Sequence, residues 1–357
     1  MFNRSKLCAS IACSALLFAA PFNQSVLAQD ELPETEVNVV GSWGNLAVYQ
    51  EREKPFWTKT IPEESGGAVT ANLRPFTEMG MSGEEVFSLL RQGVLEFATS
   101  AIGYVAGTDP RTEGTDLAGL TEDIDQIREA NEAYRPYLNE RFEEQYGLKL
   151  LAFFPNHDLA MACNTPINGI DDLEGKKIRV HSRSLAEFVE AAGATSSSIP
   201  FPDVVPALER GVIDCAVSAV LGLYNAKWYE VTSHLYTLPL GWSMLFHAAN
   251  LEAWNALPEN VQTFLEDELQ AWEERNWEWA QTDTEDGVAC LTGGNCPYGE
   301  PASLTLVEVS DEDRKRIHEI RDEVIVPSWA ERCGEECTTS WNETVGNVLN
   351  TSASIEE

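Results

Sequence analysis

Short apolar runs alternate with longer amphipathic segments along most of the chain. The runs Val37–Val40, Leu95–Ile102 and Leu148–Phe154 predict strands. The amphipathic segments between them predict helices, among them a long acidic helix over Thr121–Tyr146. This alternation predicts an α/β fold in which helices cover largely parallel sheets.

The same order of strand and helix begins again at Asp171. Strands are predicted over Lys176–Val180 and Val212–Val220, and the apolar run Leu240–Asn250 predicts a strand that crosses between units. A very long helix is predicted after Pro258, which suits the start of a helix. We therefore expect two similar α/β units with a ligand-binding cleft between them.

The first residues have the pattern of an export signal. Arg4 and Lys6 precede an apolar run over Leu7–Ala20, and small residues follow as far as Ala28. The run is shorter than the roughly 20 residues that a membrane-spanning helix needs. We therefore predict cleavage near Ala28 and a periplasmic protein.

Acidic residues greatly outnumber basic ones. The chain has 58 Asp and Glu against 24 Lys and Arg, a net charge of −34. Loss of the signal segment would remove only Arg4 and Lys6 among these, which leaves a net charge of −36. Such a charge argues against nucleic acid and anionic membranes as partners. An anionic ligand would need a local positive site.

Six cysteines follow the signal segment, and six cysteines allow 15 pairings. Cys290–Cys296 has the spacing of a short bridged loop, and Cys333–Cys337 that of a second one. Cys163 and Cys215 lie in apolar, strand-like contexts, where we expect buried thiols. None of the spacings is that of a zinc site, so we predict neither a metal nor another cofactor.

The most specific pattern lies between Leu173 and Glu230. It combines IDDLEGKKIRVHS, a helix, GAT, IPFPDVVPALERGVIDCA and AKWYEV in this order. In order and spacing these motifs resemble the DctP-type solute receptors of tripartite ATP-independent periplasmic (TRAP) transporters. The resemblance implies a two-lobed periplasmic-binding-protein clamp, with crossing strands and a long bracing helix, that closes over a small ligand.

The resemblance also implies how the chain divides and what it does. Residues 29–157 would form lobe I, with about 247–282 returning to it. Residues 158–246 would form lobe II, with about 300–357 packed on it. A receptor of this kind binds an organic acid in the interlobe cleft and delivers it to the membrane subunits of a TRAP permease. We expect a monomer.

Arg179, in the strand KIRV, matches the arginine that binds the ligand carboxylate in this family. The physical reason holds independently, because a guanidinium group pairs with a carboxylate through two parallel hydrogen bonds. A buried charge of this kind is costly without an anionic partner. The alternative is a pair with a carboxylate of the protein, such as Asp214.

The resemblance assigns two further ligand contacts in the second unit. The aromatic residue that the family places near the ligand in PFPDV is Phe201 here. The asparagine of the family's GAEN segment is replaced by Ser218, which has a shorter side chain with a single hydroxyl group.

Loops that follow strands supply candidates from the first unit. These are Trp43 and Asn45 after the first strand and Tyr104 after a later one, and Trp242 lies on the crossing strand. The aromatic rings favour an aromatic or hydroxy monocarboxylate over a dicarboxylate. A dicarboxylate would need a second cation, for which only Arg74 and Arg91 are spare.

Other classes of function have less support. A receptor for another transporter or for a sensor would share the clamp, and a secreted enzyme is the further alternative. The sequence has no phosphate-binding glycine loop, nucleophile elbow or HExxH motif, so we predict that the protein is not an enzyme. Two polar segments, Pro155–Asp158 and Asp283–Gly287, are interpreted as a solvated turn and a solvated loop.

Overall fold

The computed structural model describes residues 31–355, and the predicted signal segment lies outside them. Strands alternate with helices along the described chain, as the hydrophobic pattern predicts. The strands are β1 Thr35–Gly41, β2 Val69–Pro75, β3 Phe97–Ala101, β4 Leu148–Pro155, β5 Leu159–Cys163, β6 Lys177–Val180, β7 Thr195–Ser198, β8 Cys215–Ala219, β9 His234–Tyr236, β10 Met244–Asn250 and β11 Thr305–Val307.

Helices cover the strands and make up much of the second half of the chain. The α-helices are α1 Ile61–Glu64, α2 Gly83–Arg91, α3 Ile124–Tyr146, α4 Arg183–Ala191, α5 Val204–Glu209, α6 Val220–Asn225, α7 Leu251–Asn255, α8 Glu259–Thr292, α9 Asp311–Ile320, α10 Val326–Cys333, α11 Glu335–Trp341 and α12 Asn347–Leu349. Among residues 31–355, the structure contains no helix that is long and apolar enough to cross a membrane.

The strands form two mixed sheets, of order β2-β1-β3-β10-β4 and β11-β9-β5-β8-β6-β7. The expectation of largely parallel sheets is wrong for the strands next to the crossings. In the first sheet β10 runs antiparallel to β3 and β4, and in the second β5 runs antiparallel to β8 and β9. Both strands follow a segment of chain that arrives from the other sheet. The fold is therefore α/β and two-lobed, with one sheet in each half.

Helix α8 braces both halves. Its 34 residues extend over about 50 Å at 1.5 Å per residue, and it packs on β4 of the first sheet and on α6 beside the second. Trp272 anchors it between Phe56 and Phe154, with ring centroids 5.0 and 4.8 Å away. The predicted loop at Asp283–Gly287 is wrong, because these residues continue the helix and Asp283 forms an ion pair with Arg52.

Among residues 31–355, disulfides join three cysteine pairs. The Cys290–Cys296 and Cys333–Cys337 bridges agree with the sequence spacing. The expected free thiols at Cys163 and Cys215 are wrong, because these residues are directly opposite each other on β5 and β8 and form a bridge. The sequence hides this pair because 52 residues separate its members.

The C-terminal segment contacts both halves of the molecule. Residues 321–325 pack on α4, while α12 and residues 342–346 pack on α3. Between these contacts Arg332 of α10 binds Glu113 at 3.0 Å and Glu187 of α4 at 3.3 Å. Both carboxylates are buried, with exposed fractions of 1% and 7%. Burial raises the pKa of Glu113, and the Arg332 guanidinium opposes this effect.

We expect Arg332→Met to lower the free energy of unfolding by about 3 kcal/mol, because it leaves Glu113 buried without its counter-ion. Urea denaturation at pH 7 measures the change. Arg314→Met is the matched control, since its pair with Glu122 is exposed and should contribute less than about 1 kcal/mol. Equal losses in the two variants would contradict a stabilising role for the buried ion pairs.

Candidate functional site

The ends of strands from both sheets face each other across a cavity of about 240 Å³. Trp43, Phe76 and Tyr104 follow β1, β2 and β3, and the beginning of α2 lies beside them. Residues 179–181 at the end of β6 and residues 198–202 at the end of β7 line the other side. Ligands of open α/β sheets commonly bind at these carboxyl ends of strands.

Arg179 is the cationic group of this cavity, and only 1% of the residue is exposed. Its Nε donates to the carbonyl of Ile199 and its Nη1 to the carbonyl of Val217, each at 2.9 Å. Burial lowers the pKa of Arg179, but an arginine remains charged at neutral pH. Asp214 instead accepts a hydrogen bond from the backbone N–H of Lys177.

No carboxylate of the described residues neutralises this guanidinium. None of the ion pairs within residues 31–355 includes Arg179. The alternative pairing with Asp214 is therefore not formed. The backbone carbonyls hold the fork in one orientation without cancelling its charge, which leaves a positioned cation beside an open cavity.

Trp43 is fixed by the turn that follows β1. The backbone N–H and the hydroxyl of Ser42 both donate to Glu53, at 2.7 and 2.8 Å, and the N–H of Gly44 donates to Thr77 Oγ1 at 3.1 Å. Burial raises the pKa of Glu53, whereas the hydrogen bonds from Thr99 and Ser42 lower it. The turn is thus held on both sides of the indole ring.

The Trp43 ring contacts the other aromatic side chains of the cavity. The ring centroids of Phe76, Tyr104 and Phe201 lie 5.3, 6.1 and 6.3 Å from it. Gly83, at the beginning of α2, allows Tyr104 to pack there, because a Cβ at this position would overlap the tyrosine ring. The cavity therefore combines one cation with several rigid aromatic surfaces.

A smaller recess of about 20 Å³ adjoins the cavity and shares Arg179 and Trp43 with it. Asn156, Ser218 and Ser243 also line this recess, and each is at most 8% exposed. Ser218 lies on β8, whereas Asn156 and Ser243 lie at the two connections between the sheets, where the N–H of Asn156 donates to the carbonyl of Ser243 at 3.3 Å.

Five of the seven ligand contacts expected from the sequence lie together. Trp43, Tyr104, Arg179 and Phe201 line both the cavity and the recess, and Ser218 lines the recess. Asn45 is exposed at the surface and lines neither space.

Trp242 is buried and likewise lines neither space. Its backbone N–H donates to Asp116 at 2.8 Å, which ties the crossing segment to the loop after β3. Ligand contact by the seven residues stays a prediction. Arg74 and Arg91, the spare cations of the sequence, are exposed and lie outside both spaces.

Several residues that line the cavity or its recess were not predicted from the sequence. His181 is two residues beyond Arg179, and alternate residues of a strand share a face, so its place could have been predicted. Burial, and then the charge of Arg179, lowers the pKa of His181 to about 3, which makes it a neutral imidazole at physiological pH. Asn156 and Ser243 gave no such signal, because long-range packing brings them together.

The predicted solvated turn Pro155–Asp158 is wrong. His157 is 3% exposed, and its Nε2 accepts a hydrogen bond from the N–H of Gly222 at 3.2 Å. Burial lowers the pKa of His157 to about 4 and raises that of Asp158 to about 8. The turn is covered because it connects β4, at the edge of the first sheet, with β5, in the middle of the second.

Within the described chain, no group of three or more His, Cys, Asp or Glu side chains is placed to hold a metal ion.

A family model described as bacterial extracellular solute-binding protein, family 7 (DctP), matches residues 47–328. The chain belongs to this family. Family 7 proteins include the periplasmic solute receptors of TRAP transporters, which bind small ligands and work with membrane permease subunits. The match begins after β1 and Trp43. From there it covers the other strands of both sheets and the rest of the cavity between them.

Two curated family 7 relatives bind different ligands. The ectoine-binding periplasmic protein of Halomonas elongata is 26% identical over 211 residues, 57% of this chain and 60% of the relative. The C4-dicarboxylate-binding periplasmic protein of Rhodobacter capsulatus is 25% identical over 283 residues, 76% of this chain and 80% of the relative. The match thus spans less than two thirds of the first relative and more of the second.

A solved structure of a solute receptor has the same fold. The Bordetella pertussis extracytoplasmic solute receptor that binds pyroglutamic acid superposes with a TM-score of 0.78 at 18% identity, covering 89% of this chain and all of that receptor. The two proteins therefore share the two-lobed architecture. The sequence identity is too low to infer that they bind the same ligand.

We expect Asp158→Asn to change how stability depends on pH. Asp158 has a folded pKa of about 8 against an ordinary value of 3.8, so the wild-type fold loses stability as pH rises from about 4 to 8. Over this window the free energy of unfolding of the variant should rise relative to that of wild type, by on the order of 2 kcal/mol after allowance for partial exposure. Urea denaturation at pH 5, 7 and 9 measures this, and a difference independent of pH would contradict it.

Proposed function

We propose that this protein is a periplasmic receptor that binds a small organic acid in the cavity at Arg179 and delivers it to a TRAP-type permease. The observation that carries the proposal is the buried guanidinium without a carboxylate partner. Removing a cation from water costs several kcal/mol, and a ligand carboxylate would offset this cost when it binds. Family membership supports the same role.

The lining favours a ligand with a single negative charge. Arg179 is the only Arg or Lys among the described residues that line the cavity and its recess. Glu84 and Glu85, at the beginning of α2, lie on the rim and would repel a second carboxylate. An aromatic or hydroxy monocarboxylate fits this arrangement better than a C4-dicarboxylate.

The aromatic rings suit the remainder of such a ligand. Trp43, Phe76, Tyr104 and Phe201 surround the space next to Arg179 and can pack on an apolar or planar body. The ligand would bridge residues from the two sheets and favour the closed arrangement in proportion to its higher affinity for that state. Closure would then form the surface that the permease recognises.

We expect Arg179→Ala to weaken binding of the cognate acid by roughly 2–5 kcal/mol, because a desolvated carboxylate loses its partner. The cognate acid is first found by a thermal-shift screen of organic acids, with sugars and amino acids as controls. Titration calorimetry then compares wild type with Arg179→Ala and with Arg210→Ala, an exposed arginine at the end of α5 that should leave the affinity unchanged.

Two results would count against the proposal. One is that no organic acid shifts the melting temperature of protein freed of carried-over ligand. The other is that Arg179→Ala binds the acid as tightly as the Arg210→Ala control does.

A further inference from the structure

The recess beside Arg179 is lined by polar side chains. Asn156 Oδ1 is completely buried and has no hydrogen-bond partner within residues 31–355, and the hydroxyls of Ser218 and Ser243 line the same recess. The exposed fractions of the three residues are 7%, 8% and 7%. Buried polar groups in proteins nearly always have a hydrogen-bond partner, so the unpaired Asn156 Oδ1, beside two serine hydroxyls in one small space, indicates a ligand donor that enters the recess.

The backbone conformation of Ser243 also indicates a ligand site. Ser243 has a φ of 50°, in the left-handed region that residues with a side chain rarely adopt. Strain of this kind persists where the surrounding structure imposes it, and it is concentrated at ligand sites. Here it positions Ser243 at the connection between the sheets, next to the Asn156 backbone.

The size and chemistry of the recess limit what can enter it. The recess, at about 20 Å³, is far smaller than the cavity of about 240 Å³, so it suits a small polar substituent of the ligand and not its body. The amide can accept or donate, and each serine hydroxyl can do both. A hydroxyl group, which also both donates and accepts, satisfies these partners best.

We infer that Asn156, Ser218 and Ser243 form a hydroxyl-specific subsite, so that the ligand is a 2-hydroxy monocarboxylate whose carboxylate binds Arg179. This inference rests on the proposed function. It makes Asn156 and Ser243 specificity-determining residues, and it gives a role to the serine that replaces the family's asparagine. The amide that contacts the ligand would then be that of Asn156, on the connection between the sheets, and not that of an asparagine at the position of Ser218 on β8.

The test compares acids that differ only by the hydroxyl: mandelate with phenylacetate, and lactate with propionate. Calorimetry on the exported protein should show each 2-hydroxy acid binding about 10- to 100-fold more tightly than its partner, because the partner leaves buried polar groups unpaired. In Asn156→Leu and Ser243→Ala this preference should fall below about threefold, while the affinity for phenylacetate and propionate stays within about twofold.

Ser303→Ala is the matched control, because Ser303 is exposed and lines neither the cavity nor the recess, and it should keep the full preference. If Asn156→Leu does not fold, Ser243→Ala and Ser218→Ala provide the same comparison. Equal binding of both acids by wild type would overturn the subsite, as would a preference that survives in the variants or an equal loss of both acids.

The two proposals fail in distinguishable ways. Binding that depends on Arg179 but shows no preference for the hydroxyl would overturn the subsite and leave the receptor function standing. No binding of any acid by wild type would overturn both.

Discussion

The organisation of this molecule depends on keeping one guanidinium charged, buried and unpaired. Arg179 lies on β6, between β7 and β8, and two carbonyl groups from neighbouring segments hold its fork. A cation in such a place lowers stability unless something compensates for its lost hydration. The surrounding core, the disulfide across β5 and β8, and the bracing helix supply the stability that allows this site to exist.

The chain connectivity explains why the site lies where it does. Each sheet contributes the carboxyl ends of its parallel strands, and the segments that cross between the sheets pass beside them. The crossings also account for the antiparallel strands β5 and β10. Polar residues at the crossings, such as Asn156 and Ser243, are buried, although their sequence context resembles exposed loops.

Sequence reasoning succeeded where the information is local. The hydrophobic periodicity predicted most strands and helices, and the KIRV motif predicted the place of Arg179. It failed where partners are distant in sequence. Cys163 and Cys215 look like isolated apolar cysteines until the register of β5 and β8 is known. Asp283 looks like part of an acidic loop until Arg52 is placed beside it.

The carboxylates at the mouth of the cavity have a consequence for the rate of binding. Glu84 and Glu85 are exposed at the rim, and the whole chain has a net charge of −34, so an approaching anion is repelled before it reaches Arg179. Dissolved salt screens this repulsion over distances beyond about 10 Å at 0.1 M ionic strength. It screens much less the attraction between the buried Arg179 and a bound carboxylate. For an anionic ligand, encounter should therefore become faster as salinity rises, the reverse of ordinary electrostatic steering. For such a ligand, a saline medium would speed capture without weakening the buried contact.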